Sequence, residues 1–320
     1  MAYKNEPMLF ELRTLEVNPE AKMFPTPTGE RTKENMDAYN EMCVEWLKGV
    51  TKDIEYPSDI KRMDMTYQRG DYTGRAFVYR PDTDEKLPVI IHTHGGSYLF
   101  WSIEYYDLMC SWIAHEGHCV VVNLDFRMNI GDILIPDMLE DCYAGIKAVI
   151  EQADNYGIDP EKLGLMGDSS GASQAMGLTI MCRDRGEINV PYRILIAGGV
   201  GFDPEDLDNG NAYAKETSLM GAQNVVIRGF KSIEQSQHPW YTPWNDKHVE
   251  LCPPTTFVVG TGDYMWHDVA IYSKRLLDAG VPVEIGLFAG MPHGFYNGTH
   301  EASARECWKF LGEQIKKHLA

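Results

Sequence analysis

Six short, largely apolar runs, most of them separated by longer helix-patterned stretches, constrain this chain more than any other feature. They occupy residues 88–92, 119–123, 163–166, 194–197, 256–259 and 283–287. Val, Ile and Leu dominate them, and polar residues do not alternate through them. Such runs suit strands buried on both faces, as in a mostly parallel sheet. The segments between them follow the helical period. Leu139, Tyr143, Ile146, Val149 and Ile150 share one stripe of a helix expected over 136–156, with Pro136 at its start. Further helices are expected over 170–185, 267–279 and 302–318. This alternation predicts an α/β fold built on a mostly parallel, doubly wound sheet.

Three stretches depart from the rhythm. Ile60, Met63, Met65 and Tyr67 nearly alternate, Gly70-Asp71 breaks the pattern, and Ala76-Phe77-Val78-Tyr79 resumes it, which predicts an antiparallel hairpin. The first 55 residues are polar and mixed, with a helical stretch over 34–47 marked by Met36, Tyr39, Met42, Cys43 and Leu47. Residues 202–250 contain no clean strand, and Phe230, Trp240, Tyr241 and Trp244 lie there among acidic and Gly-rich turns. An insertion that long in a compact domain suggests a lid or binding segment. The expected organisation is an N-terminal cap segment (1–55), a core (56–202 and 250–320) and a cap insertion (203–249).

Lys plus Arg is 29 and Asp plus Glu is 47, a formal net charge of -18. Nucleic acids and anionic membrane surfaces both attract basic faces, so the balance argues against either partner. The seven cysteines have no metal-ligand spacing, and several sit in apolar runs where a thiol behaves as a small hydrophobe. The opening MAYKNEPMLFELRTLEV lacks the apolar core of a signal peptide, and no run is long enough to span a membrane. A soluble cytoplasmic protein with reduced thiols is expected.

Four short motifs carry chemistry. Gly167-Asp168-Ser169-Ser170-Gly171 fits G-x-S-x-G between an expected strand and an expected helix, the setting of an elbow that exposes the Ser169 hydroxyl. The turn is so tight that only small residues fit two positions either side of Ser169. His94-Gly95-Gly96-Ser97 follows the strand over 88–92. Backbone amides there would meet the oxyanion formed when an ester carbonyl is attacked. Small residues let that backbone approach closely. Pro292-His293-Gly294 follows the last strand, and His293 is the candidate general base. Asp263, in Gly260-Thr261-Gly262-Asp263, follows the strand before it and could hold the imidazole in one tautomer. Asp268, at the start of the next helix, competes for that role, and its alternative is a helix N-terminal charge. The order Ser169, Asp263, His293 is the order this architecture requires. His94 suits a loop-fixing role better than a base, and His92 with His94 lacks a third ligand for a metal.

Together with Asp125-Phe126-Arg127 and Pro292-His293-Gly294-Phe295, these motifs closely resemble the hormone-sensitive-lipase-like esterases of the α/β-hydrolase fold, over about residues 75–315. Asp141-Cys142-Tyr143, Gly157-Ile158-Asp159-Pro160, His238-Pro239 and Pro253-Pro254 look like that family's connecting motifs. The resemblance implies a helical cap and a small-molecule ester substrate with a short acyl chain. It implies an oxyanion hole from backbone amides in the set Gly95, Gly96, Ser97 and Ser170, and no cofactor. Many relatives pair as homodimers through an edge strand, here 283–287. Ser97 stands where the family has a third glycine, and Ser170 where it has a small residue. Tyr98, Trp101 and Asp168 are candidate substrate contacts. Trp101 could equally be cap core, and Asp168 could instead order the loop. Arg127 is expected to anchor a strand end through an ion pair. The reading is a serine carboxylesterase with a Ser169–His293–Asp263 triad. Its rivals are a deacetylase of acetylated sugars or small metabolites and a non-catalytic ligand-binding relative, for fold does not guarantee function.

Overall fold

The computed structural model describes residues 9–13, 33–99, 102–201 and 229–319. Its strands are β1 (Leu9–Arg13), β2 (Ile60–Arg69), β3 (Tyr72–Pro81), β4 (Leu87–Thr93), β5 (Val120–Leu124), β6 (Ile158–Asp168), β7 (Tyr192–Ile196), β8 (Thr255–Gly260) and β9 (Val283–Phe288). The main helices are α1 (Lys33–Val50), α2 (Asp107–Gly117), α3 (Ile135–Glu151), α4 (Ser170–Arg185), α5 (Trp266–Asp278) and α6 (Glu301–Leu319). All nine strands form one sheet in the order β1-β9-β8-β7-β6-β4-β5-β3-β2. Pairing is parallel from β1 through to β5, while β3 joins β5 and β2 joins β3 antiparallel.

The apolar runs are continuous because successive residues feed two different cores. Val89 and Ile91 pack with α3, α4 and α5 on one face, and Ile90 packs with α2 and α6 on the other. Phe257 and Val259 against Val258 repeat the pattern. A period of two with both faces covered leaves few positions for a polar residue. Pro136 lies in the first turn of α3, and Asp137 Oδ2 accepts from the Leu134 amide at 3.2 Å.

The six expected strands, the hairpin and the four expected core helices are present, with ends moved by a few residues. Three differences matter. Helix α2 was not expected from the sequence; all but four of its residues carry buried side chains or none, so it shows little amphipathic pattern. Strand β1 lies inside the segment expected to be wholly cap. It pairs with β9 from Leu9 opposite Glu284 to Arg13 opposite Phe288, so β9 is not the sheet edge expected for pairing between copies. An open edge is a row of unpaired N–H and C=O groups, and the chain covers this one itself.

In the other segments expected to form the cap, Met36, Tyr39 and Cys43 of α1 cluster with Leu99, just beyond the His94 loop. The described part of the insertion lies on α4: a Cβ at Gly177 would sit 1.9 Å from the Trp240 carbonyl oxygen. Residues 202–228 lie outside the described residues. Among the described residues, no helix is long and apolar enough to cross a membrane.

Candidate active site

The chain moves outward from β4 to β5, then crosses back to β6, so the strand order reverses between β4 and β6. Ligands of open α/β sheets bind beyond the carboxyl ends of strands at such a point. All four motifs sit there, on the turns after β4, β6, β8 and β9.

Ser169 occupies the turn between β6 and α4 at φ 52°, ψ -125°. A non-glycine residue held there stores about 1–3 kcal/mol of strain. Its surroundings enforce the turn. A Cβ on Gly167 would lie 2.1 Å from the Gly171 oxygen, and one on Gly171 would lie 2.0 Å from the Thr93 oxygen. The Ser169 amide donates to the Ile196 carbonyl at 2.8 Å, tying the elbow to β7.

The turns after β8 and β9 are locked to each other. Gly262 N donates to the Met291 carbonyl at 3.1 Å, and Thr261 Oγ1 accepts from Gly290 N at 2.7 Å. A Cβ at Gly260 would meet the Met291 oxygen at 2.0 Å. This brings His293 between two partners. Its Nδ1 is 2.8 Å from Asp263 Oδ2, and its Nε2 is 3.0 Å from Ser169 Oγ. An ionised carboxylate only accepts, so Nδ1 carries the proton and Nε2 is left to accept from the hydroxyl. Asp263 is buried, and its other oxygen accepts from Met265 N at 2.8 Å. Burial pushes the His293 imidazole downward, but the charge of Asp263 and its hydrogen bond outweigh that, leaving it above its ordinary value. Asp268 faces elsewhere, accepting from Val200 N at 3.3 Å in the first turn of α5.

The turn after β4 presents the amides. Gly96 (φ 112°), Ser97 (φ 54°) and Tyr98 (φ 63°) run through positive φ. The Gly95 amide is engaged: it donates to Asp168 Oδ1 at 2.9 Å, so the expected donor set contracts to Gly96, Ser97 and Ser170. Ser170 is the first residue of α4, and a first-turn amide has no partner within its own helix. His94 is buried, its Nδ1 is 2.9 Å from the Gly95 oxygen, and it stacks on Phe126 at 4.4 Å. Burial lowers it to about 4, so it fixes the loop as a neutral ring.

Asp168 has more partners than its sequence neighbours suggest. Besides Gly95 it meets His92 Nε2 at 3.0 Å, the Tyr106 hydroxyl at 3.2 Å and the Tyr296 hydroxyl at 3.4 Å. Those contacts suit the loop-ordering alternative. Tyr98 is buried, with its phenol pushed up to about 12 by burial and hydrogen-bonded to Ser173, one turn beyond the elbow. Trp101 lies outside the described residues. Arg127 grips the buried Asp141 with two bonds, Nε at 2.8 Å and an Nη at 2.7 Å, which pins the chain after β5 to α3. Sequence reasoning missed Tyr106, Tyr296 and Tyr264, whose ring lies 4.9 Å from that of His293. Only Tyr296 carried a signal, as the residue following Pro292-His293-Gly294-Phe295.

Comparison with known proteins places the chain in a family. The family described as the alpha/beta hydrolase fold matches residues 90–297. Versiconal hemiacetal acetate esterase of Dothistroma septosporum is 24% identical over 66% of this chain and 67% of its own. Carboxylesterase NlhH of Mycobacterium tuberculosis is 25% identical over 68% and 69%. A hyperthermophilic esterase from Pyrobaculum calidifontis superposes with a TM-score of 0.78 at 26% identity, covering 88% of this chain and 91% of that one. With its motifs, its strand order and these matches in agreement, the chain belongs to the hormone-sensitive-lipase-like esterases of the α/β-hydrolase fold.

Proposed function

We propose that this carboxylic ester hydrolase works as a serine carboxylesterase on small esters with short acyl chains. Ser169 attacks the ester carbonyl while His293 Nε2 takes its proton. Asp263 keeps the imidazole in the required tautomer and stabilises the imidazolium. The oxyanion is held by the amides of Gly96, Ser97 and Ser170. His293 returns the proton to the departing alcohol, and water repeats the sequence on the acyl-enzyme. The observation that carries this reading is the continuous chain Ser169 Oγ, His293, Asp263, with links of 3.0 and 2.8 Å. A relative named for an acetate ester supports the short acyl group. The packing of α1 on Leu99 and of Trp240 on α4 supports cap segments over 1–55 and 203–249. Seven buried thiols, none in a disulfide, fit a reducing compartment such as the cytoplasm.

The test is covalent labelling by a fluorophosphonate together with an acyl series from acetate to laurate. Labelling lost in Ser169→Ala and rates falling beyond butyrate or hexanoate are expected. Labelling that survives Ser169→Ala removes the nucleophile assignment. Turnover of acetylated xylo-oligosaccharides alone, with no simple ester hydrolysed, replaces the esterase by a sugar deacetylase.

A further inference from the structure

We infer that Tyr264 forms the leaving-group wall of the site and that the alcohol half of the preferred ester is a flat aromatic. The inference rests on the esterase reading above and narrows its substrate class.

Sheet order decides which half of the substrate lies where. The oxyanion loop follows β4, on one side of Ser169, and His293 follows β9, on the other side. When Ser169 Oγ attacks, the carbonyl oxygen turns to the amides of Gly96, Ser97 and Ser170. The leaving oxygen must come within hydrogen-bond distance of His293 Nε2, the atom that protonates it. The alcohol is therefore carried on the His293 side.

Two tyrosines flank the imidazole there. Tyr296 is buried and meets it edge-on, with ring centroids 6.2 Å apart and planes at 82°. It closes the core side. Tyr264 lies at 4.9 Å with planes at 34°, so one face leans over the imidazole while the residue stays 47% exposed. The large apolar side chains exposed among the described residues include Met42, Tyr56, Ile233, Trp244 and Leu251, yet it is Tyr264 whose ring packs against His293. Its place is fixed by a short turn in which Met265 N donates to Asp263 Oδ1 and Trp266 N donates to the Asp263 carbonyl. The exposed remainder of the Tyr264 ring, beyond the face that leans on His293, is thus an aromatic wall beside the base, carried on a short hydrogen-bonded turn. A planar ring that stacks on it gains attraction beyond the area it buries, and a saturated ring of the same size gains only the area.

Benzyl acetate and cyclohexylmethyl acetate separate these effects, because their alcohols match in size and in leaving tendency. The wild-type enzyme is expected to favour the benzyl ester in kcat/KM by roughly 2- to 12-fold. Tyr264→Ala is expected to bring that ratio to about 1, and Tyr264→Phe to keep it, since the ring and not the hydroxyl does the stacking. A wild-type ratio near 1, a ratio that survives Tyr264→Ala, or hydrolysis of ethyl acetate with neither bulky ester accepted overturns the inference. Fluorophosphonate labelling of Ser169 keeps this separate from the wider reading. A labelled, active enzyme with no aromatic preference defeats only the Tyr264 assignment, whereas an unlabelled enzyme without esterase activity defeats both.

Discussion

Asp168 and Asp263 stand at the carboxyl ends of β6 and β8, and each is all but sealed from solvent, at 2% and 4% exposure. Each also meets a histidine. Burial and charge do not distinguish them; the atoms around the two histidines do. His92 has acceptors at both ring nitrogens, Asp168 Oδ1 at 3.0 Å and Asn123 Oδ1 at 2.9 Å. The Asn123 amide is oriented by its own donation to the Ile103 carbonyl at 3.1 Å. His293 has an acceptor at Nδ1 and a hydroxyl, which can donate, at Nε2. A base needs a nitrogen facing a proton it can take: His293 Nε2 faces the Ser169 hydroxyl at 3.0 Å, whereas His92 Nδ1 faces the Asn123 oxygen at 2.9 Å, with the Cys110 thiol no nearer than 3.9 Å. A His–Asp contact thus serves as a strut in one place and, in the mechanism proposed above, as two-thirds of a triad in the other.

The largest expected effect breaks the catalytic pair. Asp263→Asn turns an acceptor into a partial donor opposite Nδ1, favouring the wrong imidazole tautomer. kcat should fall by about 10³- to 10⁴-fold, with the far-ultraviolet circular dichroism unchanged. A loss under tenfold removes Asp263 from the triad.

Asp168→Asn should act through the loop instead. The Gly95 amide, two phenols and His92 converge on that carboxylate, and an amide cannot accept from all four. The oxyanion amides would then sit less squarely, and a loss of about 10- to 100-fold in kcat is expected, below the roughly 10²- to 10³-fold cost of removing an oxyanion donor outright. Fluorophosphonate labelling of Ser169 should persist, more slowly. A loss equal to that of Asp263→Asn would place Asp168 in the proton-transfer chain and end the contrast.

That contrast was only half visible in the sequence. The elbow was legible because close contacts at 2.1 and 2.0 Å leave glycine as the fitting residue at 167 and 171, and such a demand survives as a motif. The strands were legible because burial on both faces writes itself as an unbroken apolar run. Asp168 sits beside the nucleophile in the same motif, but its partners come from residues 92, 95, 106 and 296, and no local pattern records a contact 128 positions away. The same holds for Gly95, whose amide looked available until Asp168 was found on it. Strand β1 was missed for another reason: five residues reading Leu-Phe-Glu-Leu-Arg in a polar stretch carry too little pattern to mark an edge strand.

A smaller effect ranks the two carboxylates by their reach to His293. Both raise the imidazole, Asp263 by charge and hydrogen bond and Asp168 by charge alone and less strongly, against a downward push from burial. His293 must be neutral to accept the Ser169 proton, so the acid limb of kcat/KM follows its titration. Removing either negative charge lowers that titration and moves the acid limb to lower pH. The shift should be the smaller one in Asp168→Asn. It should be larger in Asp263→Asn, read there by proton NMR of the His293 ring because turnover is weak. Equal shifts, or a shift to higher pH in either variant, would contradict the assigned partners.

The smallest effect belongs to the third carboxylate of the region. Asp268 lies in the first turn of α5 and accepts from the Val200 amide, away from the imidazole. In Asp268→Asn the side-chain oxygen still accepts from Val200 N, and the charge lost at the helix N-terminus is worth about 0.3–1 kcal/mol. For a chain of this size that is a fall in Tm of a few degrees at most. kcat/KM should stay within about threefold of wild type, and its acid limb should not move. If Asp268→Asn instead cost more activity than Asp263→Asn, the orienting acid would have to be reassigned to α5. The distinction between a strut and a triad member would then rest on loop motion rather than on the contacts of the resting enzyme.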